Sequence, residues 1–354
     1  MWRNINLQNA KAQKNDEFYT QLPDIEKELK HYKQHFKNKT VYCNCDDPYE
    51  SNFFKYFAMN FNFLWLKKLI ATSYSPSPIA HTQLNLFWDK KSYKLEINEV
   101  YDVNGDWAED LADVKYLLES GKWKNKVSLL EWDWDFRSEE CIEILKNVDI
   151  VITNPPFSLF REYLAQLIKF DKNFLILWNM NAIPYKEVFP LIRDNKVWTW
   201  YGFNMSMVYK TAYPNLLEAN RKFVIWKWYN PDEWYVKVPA ICWFTNLDIK
   251  KRHEDLIMYK KYNSDDYPHY DNYDAIDVDK ISEIPLDYDW VMGVPITFLD
   301  KYNPNQFELL WIWTWDSAKE LWIQKNYRWR TDLAYTKNWK SSCPFSRILI
   351  RRKK

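Results

Sequence analysis

Apolar and amphipathic segments alternate through residues 40–177, and this alternation limits the folds open to the chain. Short apolar runs bounded by polar residues predict buried strands at 40–45, 68–72, 126–130, 149–153 and 174–177. Helical spacing of apolar residues predicts helices at 24–37, 110–119, 139–147 and 158–170, and Ser51 as the cap of a further helix. Strands that alternate with helices form a parallel sheet with helices on both faces. The predicted fold class is therefore α/β, doubly wound.

This pattern is interrupted once and then ends at about residue 230. Residues 82–101 predict a polar hairpin inserted between strands. Beyond residue 230, long polar and aromatic stretches such as 260–280 have only weak periodicity, which favours an irregular lobe. We therefore divide the chain into a 1–230 domain, which includes the N-terminal segment 1–39, and a lobe with a basic tail at 231–354.

The charge balance excludes a basic field over the whole molecule. The chain has 49 basic and 48 acidic residues, so any surface for a nucleic acid must be local. The segment Arg347–Lys354 contains five basic side chains. Two readings stay open for it, namely phosphate contacts and a solvated tail.

Several function classes are disfavoured by what the sequence lacks. No apolar run approaches the ~18 to 20 residues of a membrane span, and the N-terminus has no apolar signal region. We therefore expect a soluble, cytoplasmic protein that does not enter a membrane. The five cysteines are scattered, with Cys43 and Cys45 as a lone C-x-C, and the five histidines lack ligand spacing. This predicts free thiols and no metal site.

The glycine and tryptophan contents are abnormal. The chain has 4 glycines and 21 tryptophans, whereas glycine ordinarily supplies about 7% of residues. Trp132, Trp134, Trp290 and Trp339 stand in polar turn contexts where glycine supplies positive φ. Some bacterial lineages read the codon UGA as glycine, and another alternative code reads it as tryptophan. We hypothesise that most of these positions are glycine in the source organism, whereas Trp243 lies in an apolar run typical of tryptophan. The alternative is an unusually tryptophan-rich protein.

The strand at 149–153 runs directly into Asn154-Pro155-Pro156-Phe157. Ligands of open parallel sheets bind at the carboxyl ends of strands, so this tetrapeptide lies at the expected functional edge. The two prolines end strand pairing and stiffen the loop. The side-chain oxygen of Asn154 and the carbonyl of Pro155 can then accept from one external amino group, and Phe157 offers a face for stacking a base. The alternative is a plain strand-to-turn connection.

The tetrapeptide and its surroundings resemble a known family. The strings TNPPFSLFREYLAQLI at 153–168, NDEFYTQ at 15–21 and CNCDDP at 43–48 are similar to the EcoRI-type adenine-specific DNA methyltransferase family. The resemblance extends from about Lys14 to Pro304. It implies a Rossmann-like methyltransferase domain at 1–230, S-adenosylmethionine as cofactor, double-stranded DNA as partner, and target recognition by the 231–354 lobe.

The resemblance also implies cofactor-binding residues in three segments. Before the first strand these are Phe18, Tyr19 and Thr20, for which a surface turn is the alternative. After the first strand they are Asn44, Cys45 and Asp46. This loop lacks the glycines usual in methyltransferases, so the carboxylate of Asp46 would instead bind the amino-acid ammonium or the ribose, and a plain turn before Pro48 is the alternative. After the third strand Asp133 accepts from the adenine of the cofactor, although an exposed turn is the alternative there. Trp132 and Trp134 would crowd that pocket unless they are glycine.

The target base has its own set of predicted residues, namely Tyr201, Gly202, Phe203 and Asn204, with core packing as the alternative for Phe203. The resulting hypothesis is a monomeric enzyme that flips an adenine out of DNA and methylates its amino group, in a restriction–modification setting with a companion restriction endonuclease. Two alternatives remain open. One is a methyltransferase for RNA or for a protein glutamine. The other is a non-catalytic DNA-binding protein with a decayed cofactor pocket.

Overall fold

The computed structural model describes most of the chain, namely residues 19–45, 48, 51–72, 92–103, 105, 112, 113, 116, 126–130, 135–156, 159–210, 221–233, 235–312 and 322–353. The chain divides into two compact units. The first comprises Met1–Asn179 with Asn204–Leu247, and the second comprises Met180–Phe203 with Asp248–Lys354. This division differs from the predicted boundary at residue 230. The assignment of 1–230 to the cofactor and 231–354 to target recognition stays a prediction.

Nine described strands form one sheet in the order β1-β8-β9-β7-β6-β2-β3-β4-β5. Their bounds are β1 (Tyr19–Thr20), β2 (Thr40–Cys43), β3 (Lys68–Thr72), β4 (Tyr93–Ile97), β5 (Lys126–Leu129), β6 (Ile150–Thr153), β7 (Asn173–Asn179), β8 (Trp198–Lys210) and β9 (Tyr235–Thr245). The four central strands β3, β2, β6 and β7 are parallel neighbours. The sheet is therefore mostly parallel at its centre, as the βα alternation predicts.

The pairs β1–β8, β3–β4, β4–β5 and β7–β9 toward the edges of this sheet are antiparallel, and two of these strands differ from the sequence expectation. The described part of the predicted hairpin at 82–101 holds the single strand β4, which pairs with β3 and β5. Strand β9 lies in the range predicted as an irregular lobe, yet it pairs antiparallel with β7. Its run Ile241–Thr245 is fully buried, which supplies the physical reason, since an apolar strand is stable only inside a sheet.

Six described helices accompany the strands: α1 (Leu22–Leu29), α2 (Asn52–Met59), α3 (Glu139–Lys146), α4 (Phe160–Lys169), α5 (Phe189–Arg193) and α6 (Arg221–Trp226). Ser51 caps α2 as predicted, since its side chain accepts from the backbone N–H of Phe54. The predicted helix at 24–37 is shorter than expected. It ends at Leu29, and a 3-10 turn brings Tyr32 and Phe36 into the core instead. Of the predicted helix at 110–119, only Ala112, Asp113 and Tyr116 are described, and they are helical.

The core of the first unit is packed with aromatic side chains between the sheet and its helices. Trp243 on β9 is fully buried and meets Phe53 of α2 edge to face, with ring centroids 5.9 Å apart. Phe160 of α4 stacks on Trp178 of β7 at 4.4 Å. These contacts fasten α2 and α4 to the sheet.

The second unit contains a sheet of its own, so the predicted lobe is more regular than expected. Strands β10 (Ile276–Asp277), β11 (Met292–Pro295), β12 (Phe307–Ile312) and β15 (Arg347–Arg352) follow the order β10-β11-β15-β12. Between β12 and β15 in the sequence, β13 (Tyr335–Lys337) and β14 (Lys340–Ser342) form a separate hairpin. Several of these strands are short and join segments far apart in the chain, so local periodicity did not reveal them.

The structure contradicts the solvated-tail interpretation of the basic segment Arg347–Lys354, while phosphate contacts by this segment stay a prediction. Residues 347–352 form β15, an inner strand of the second sheet. Arg347 is buried and binds both carboxylate oxygens of Asp277, while Arg351 pairs with Glu308 at 2.7 Å. The segment is therefore not a solvated tail, and the guanidinium of Arg347 is engaged inside the protein.

Within the described residues no helix is long and apolar enough to cross a membrane, and no group of His, Cys, Asp or Glu residues could hold a metal ion. All five cysteines belong to the described part, and no disulfide joins them.

Nine of the described tryptophans fall into two groups. Trp178, Trp198, Trp243 and Trp311 are buried. Another five have a positive φ between 54° and 65° and are mostly exposed, namely Trp65, Trp228, Trp322, Trp329 and Trp339. The left-handed region is sterically costly for any residue with a Cβ atom and is a genuine outlier for a bulky one.

Candidate active site and cofactor site

The strand order of the central sheet reverses between β2 and β6. From β2 the chain moves outward to β3 on one side, and it later crosses back to β6 and β7 on the other. Ligands of open α/β sheets bind beyond the carboxyl ends of the strands at such a reversal. Asn44 and Asn154 are the first residues beyond β2 and β6, so the reversal brings two predicted site segments together.

The Asn-Pro-Pro loop is well placed to present acceptors. Asn154 is buried at 6% exposure, and Pro155 is also buried. The carbonyl of Pro156 accepts from the backbone N–H of Leu159 at 3.0 Å, which closes the turn before α4. In the described part of the chain no group donates to the carbonyl of Pro155. Phe157, the predicted stacking residue, lies outside the described residues.

Asn44 is held from two directions by residues on either side of this loop. The hydroxyl of Thr153, which precedes Asn154, donates to the backbone carbonyl of Asn44. The phenol of Tyr163 on α4 donates to Asn44 Oδ1. No described residue accepts a hydrogen bond from Asn44 Nδ2. The next residue, Cys45, has a φ of 70°, so the backbone turns sharply where many cofactor loops carry glycine.

A hydrogen bond to the first residue of α2 connects Thr20 to the segment that follows the Asn44 loop. The backbone carbonyl of Thr20 accepts from Asn52 Nδ2 at 2.7 Å, and Asn52 is the first residue of the helix that follows the Asn44 loop. Thr20 is buried at 2% exposure, and its hydroxyl has no partner among the residues described. Of the other predicted residues here, Phe18 lies outside the described part, and only the backbone of Tyr19 is described.

In the loop after β5, Leu130 and the residues from Asp135 onward are described, so Asp133 and its flanking tryptophans lie outside the described residues. Asp46, after β2, lies outside them as well. Hydrogen bonds from Arg137 hold the pKa of the Asp135 carboxyl below its ordinary value. The same guanidinium reaches Glu162 of α4 at 2.7 Å, and Gln166 Nε2 donates to the carbonyl of Phe136 at 3.0 Å. Helix α4 is therefore tied to the segment that follows the predicted adenine contact.

The predicted residues of the target-base pocket belong to strand β8. Tyr201, Gly202 and Phe203 fall in the second unit and Asn204 in the first. Tyr201 and Asn204 have positive φ values of 39° and 53°, Gly202 is buried, and Asn204 is exposed. Phe203 is half-buried, which differs from full core packing, and the pocket stays a prediction.

Three residues of the site were not singled out from the sequence. Thr153 and Tyr163 bind Asn44, and Asn179, at the end of β7, donates to the carbonyl of Pro239 at 3.1 Å. For Thr153 and Asn179 the only available signal was position, because each ends a parallel strand, whereas Tyr163 lies within α4 and carried no such signal. Asn44, Asn154 and Asn179 thus follow or end three neighbouring strands.

A mostly parallel sheet with an Asn-Pro-Pro loop at the carboxyl edge of an inner strand, next to its order reversal, is compatible with a Rossmann-like methyltransferase. The comparisons with known proteins agree with this class. The model of the family "Adenine-specific methyltransferase EcoRI" matches residues 6–353, and the chain belongs to this family.

Three named relatives share most of the chain. It is 45% identical to the type II methyltransferase M.EcoRI of Escherichia coli, over 98% of this chain and 96% of that protein. It is 36% identical to M.MgeORF184P of Mycoplasma genitalium, over 85% and 84% of the two chains. With M.MpnI of Mycoplasma pneumoniae it shares 37% identity over 85% and 83%. No solved structure matches the chain.

Proposed function

We propose that this chain is a site-specific DNA adenine-N6 methyltransferase of a type II restriction–modification system. Its family and its named relatives are adenine-specific and type II methyltransferases, which supports the reaction class and the setting. The structural observation that carries the proposal is the pair of acceptors at Asn154 and Pro155, at the edge of the sheet where ligands bind.

The acceptor pair suits an amino group attached to a flat base. Such a nitrogen is a weak nucleophile and becomes positively charged as it attacks. Asn154 Oδ1 and the Pro155 carbonyl would each accept one of its hydrogens and stabilise that charge, and the stiff prolines keep both oxygens in place. Phe157 would stack on the base once it has left the duplex. As the new nitrogen–carbon bond forms, one amino proton leaves to solvent.

The described residues fit S-adenosylmethionine as the methyl donor. When bound, this cofactor supplies a methyl group on a positively charged sulfur, whose carbon–sulfur bond breaks with its electron pair staying on sulfur. The buried hydroxyl of Thr20 and the amide Nδ2 of Asn44 are polar groups that a bound ligand would satisfy. We assign Phe18, Tyr19, Thr20, Asn44, Cys45, Asp46 and Asp133 to cofactor binding. Proximity and alignment at the strand ends would contribute much of the rate.

The experiment is transfer of labelled methyl from S-adenosylmethionine to unmethylated duplex DNA, to RNA and to a glutamine peptide. Label on adenine in the duplex is the expected result. Asn154→Ala should abolish most of it. The control Asn173→Ala changes an exposed asparagine at the opposite end of the same sheet and should retain activity. Binding of duplex DNA without cofactor binding or transfer would establish the non-catalytic alternative, and label on RNA or peptide alone would overturn the DNA assignment.

The remaining parts of the proposal concern partners and base recognition. Tyr201, Gly202, Phe203 and Asn204 would line the pocket for the flipped adenine. We expect the enzyme to act on DNA as a monomer, and a companion endonuclease would cleave the same unmethylated site. Sedimentation of the purified chain with a short duplex tests the stoichiometry directly.

A further inference from the structure

We propose that Tyr163 is a positioning residue for the cofactor, which orients the Asn44 amide so that Nδ2 donates to an oxygen acceptor of the bound ligand. This inference rests on the proposed function, since it concerns the cofactor of the same reaction. It adds a role for a residue on α4, a helix that carries none of the residues assigned to catalysis or to cofactor binding.

The contacts of Tyr163 place it between two segments of the cofactor crevice. Its phenol reaches Asn44 Oδ1, beyond β2. Its ring meets Phe136 edge to face, with centroids 5.0 Å apart, and Phe136 follows the loop that holds Asp133. Because α4 begins just after the Asn-Pro-Pro-Phe loop, one buried side chain connects the segments after β2, β5 and β6.

The direction of the hydrogen bond decides which end of the Asn44 amide faces the ligand. Tyr163 is 1% exposed, and burial raises the pKa of its phenol well above the ordinary value, so the hydroxyl keeps its proton. Asn44 is the one described partner of that hydroxyl. A buried phenol proton without an acceptor is unfavourable, so the hydroxyl donates and Oδ1 must face it. The Nδ2 group is then turned away from Tyr163, with two donors available.

The backbone of Asn44 is held at the same time. Thr153 donates to the Asn44 carbonyl from the end of β6, directly before Asn154. Both the position and the rotation of the Asn44 side chain are therefore determined by residues flanking the catalytic loop. This arrangement would keep the methyl donor and the amino-group acceptors in one geometry.

The test uses equilibrium binding of S-adenosylhomocysteine by calorimetry, together with steady-state kinetics and thermal unfolding. Tyr163→Phe removes the donor and should weaken binding about fivefold to tenfold, raise the KM for S-adenosylmethionine similarly and change kcat little. Asn44→Asp keeps an acceptor for Tyr163 but removes both Nδ2 donors, so it should weaken binding by about tenfold or more. The control is Tyr32→Phe, a second buried tyrosine in the same unit, bonded to Glu28 at 3.1 Å, which should leave binding unchanged.

Equal effects of Tyr163→Phe and Tyr32→Phe on binding would show a merely structural role and overturn the inference. Asn44→Asp binding like the wild type would overturn it as well, as would a wild-type chain that does not bind the probe. A wild-type chain that binds the probe with the expected variant pattern but methylates no DNA would refute the proposed function and leave this inference standing.

A separate observation carries a second inference, on the identity of the exposed tryptophans. We infer that Trp65, Trp228 and Trp339 are glycine in the protein as its source organism makes it. Trp339 and Asn338 form the two-residue turn between β13 and β14, with φ values of 61° and 52°. Positive φ at both positions defines the type I′ hairpin turn, for which Asn-Gly is strongly preferred.

Trp228 and Trp65 occupy the left-handed position that ends a helical turn. The N–H of Trp228 bonds to the Ile225 carbonyl and that of Tyr229 to the Val224 carbonyl. The same pair of bonds occurs at Trp65, where the N–H of Trp65 bonds to the Asn62 carbonyl and that of Leu66 to the Phe61 carbonyl. This is the Schellman motif, whose left-handed residue is usually glycine. The side chains of Trp228 and Trp339 are 96% and 101% exposed, so they gain no packing in return.

Peptide mass spectrometry of the protein purified from source cells tests this directly. Glycine masses at 65, 228 and 339 with a tryptophan mass at 243 are expected, and tryptophan masses at the first three positions would refute the inference. A second measurement uses the chain with its literal sequence. Trp228→Gly and Trp339→Gly should each raise Tm by about 2 °C, whereas Trp243→Gly should lower it severely or prevent folding. A fall in Tm for Trp339→Gly would count against the inference.

Discussion

Each unit buries a polar cluster. Asp277, Arg347 and Tyr270 form the closed cluster of the second unit, and Asn44 and Asn154 form the open cluster of the first. The clusters differ in whether their hydrogen-bonding groups already have partners inside the protein. In the second unit, the Asp277 carboxylate accepts two bonds from Arg347 and one from Tyr270, so charge and hydrogen bonds are satisfied internally. In the first unit, Asn44 and Asn154 are uncharged and lie at strand ends, and Asn44 Nδ2 has no acceptor among the described residues. Buried polar groups therefore do not mark a functional site by themselves, whereas a donor without a described acceptor at the carboxyl edge of a sheet is what we expect of a ligand site.

The largest expected effect comes from removing the carboxylate of Asp277 from the closed cluster. Asp277→Ala leaves the guanidinium of Arg347 buried, at 8% side-chain exposure, with only the 3.4 Å contact to the exposed Asp279 in place of its bidentate partner. Breaking one side of a buried ion pair costs about 3–5 kcal/mol. Denaturant unfolding should show this loss in the free energy of unfolding. A change below about 1 kcal/mol would mean that the cluster is hydrated and is not the closed structural element described above.

The next largest effect comes from a substitution in the open cluster and is measured as the rate of methyl transfer. Asn154→Ala removes the acceptor that we propose for the amino group and should lower kcat by about 10²- to 10³-fold, as for other preorganised transition-state contacts. We expect a much smaller effect on the KM for S-adenosylmethionine. If the variant instead loses stability as Asp277→Ala does, with unchanged kcat per folded molecule, the two clusters are alike and the comparison fails.

A smaller effect is expected from adding one methyl group beside the closed cluster. A Cβ at Gly293 would overlap the hydroxyl of Tyr270, so Gly293→Ala forces that side chain away from Asp277. Overpacking of this kind costs about 1–3 kcal/mol. Gly105→Ala is the contrasting case, because a Cβ there meets nothing within 4 Å and the cost comes only from its φ of 78°. Unfolding midpoints that fall equally for both variants would point to backbone strain alone.

The smallest effect should come from a pair on the same strand as Arg347. Arg351 and Glu308 are 2.7 Å apart, but their side chains are 47% and 42% exposed. Exposed pairs contribute about 0–1 kcal/mol, so Glu308→Ala should change the free energy of unfolding within that range. The small effect should disappear at high salt, whereas that of Asp277→Ala should persist. If Glu308→Ala lowered the free energy of unfolding as much as Asp277→Ala does, burial would not explain the difference between the two ion pairs.

Local features were predictable because their causes are local. The strand Lys68–Thr72 has the bounds predicted from its apolar run. Ser51 caps α2, the helix that begins at the next residue, as predicted. The Asn-Pro-Pro loop was expected at a strand end because the strand before it is continuous and apolar. The excess of tryptophan in turn contexts was also visible, and the positive φ at Trp339 agrees with it.

Partners distant in the chain were not predictable. Tyr163 and Asn44 are 119 residues apart, and no periodicity connects them. The same holds for β9, whose place beside β7 depends on a chain reversal after β7, and for Arg347, whose basic context suggested solvent or phosphate. In each case the deciding factor is the tertiary packing that brings remote segments together.

By itself the sequence determined the α/β class, the strand that delivers Asn154 and the amino-acid types from which an acceptor site is made, because these depend on periodicity, proline chemistry and local capping. Only the tertiary structure decided which groups are already satisfied. Hydrogen-bond saturation depends on distances across the fold, as the closed contacts of Asp277 and the one-sided contacts of Asn44 show.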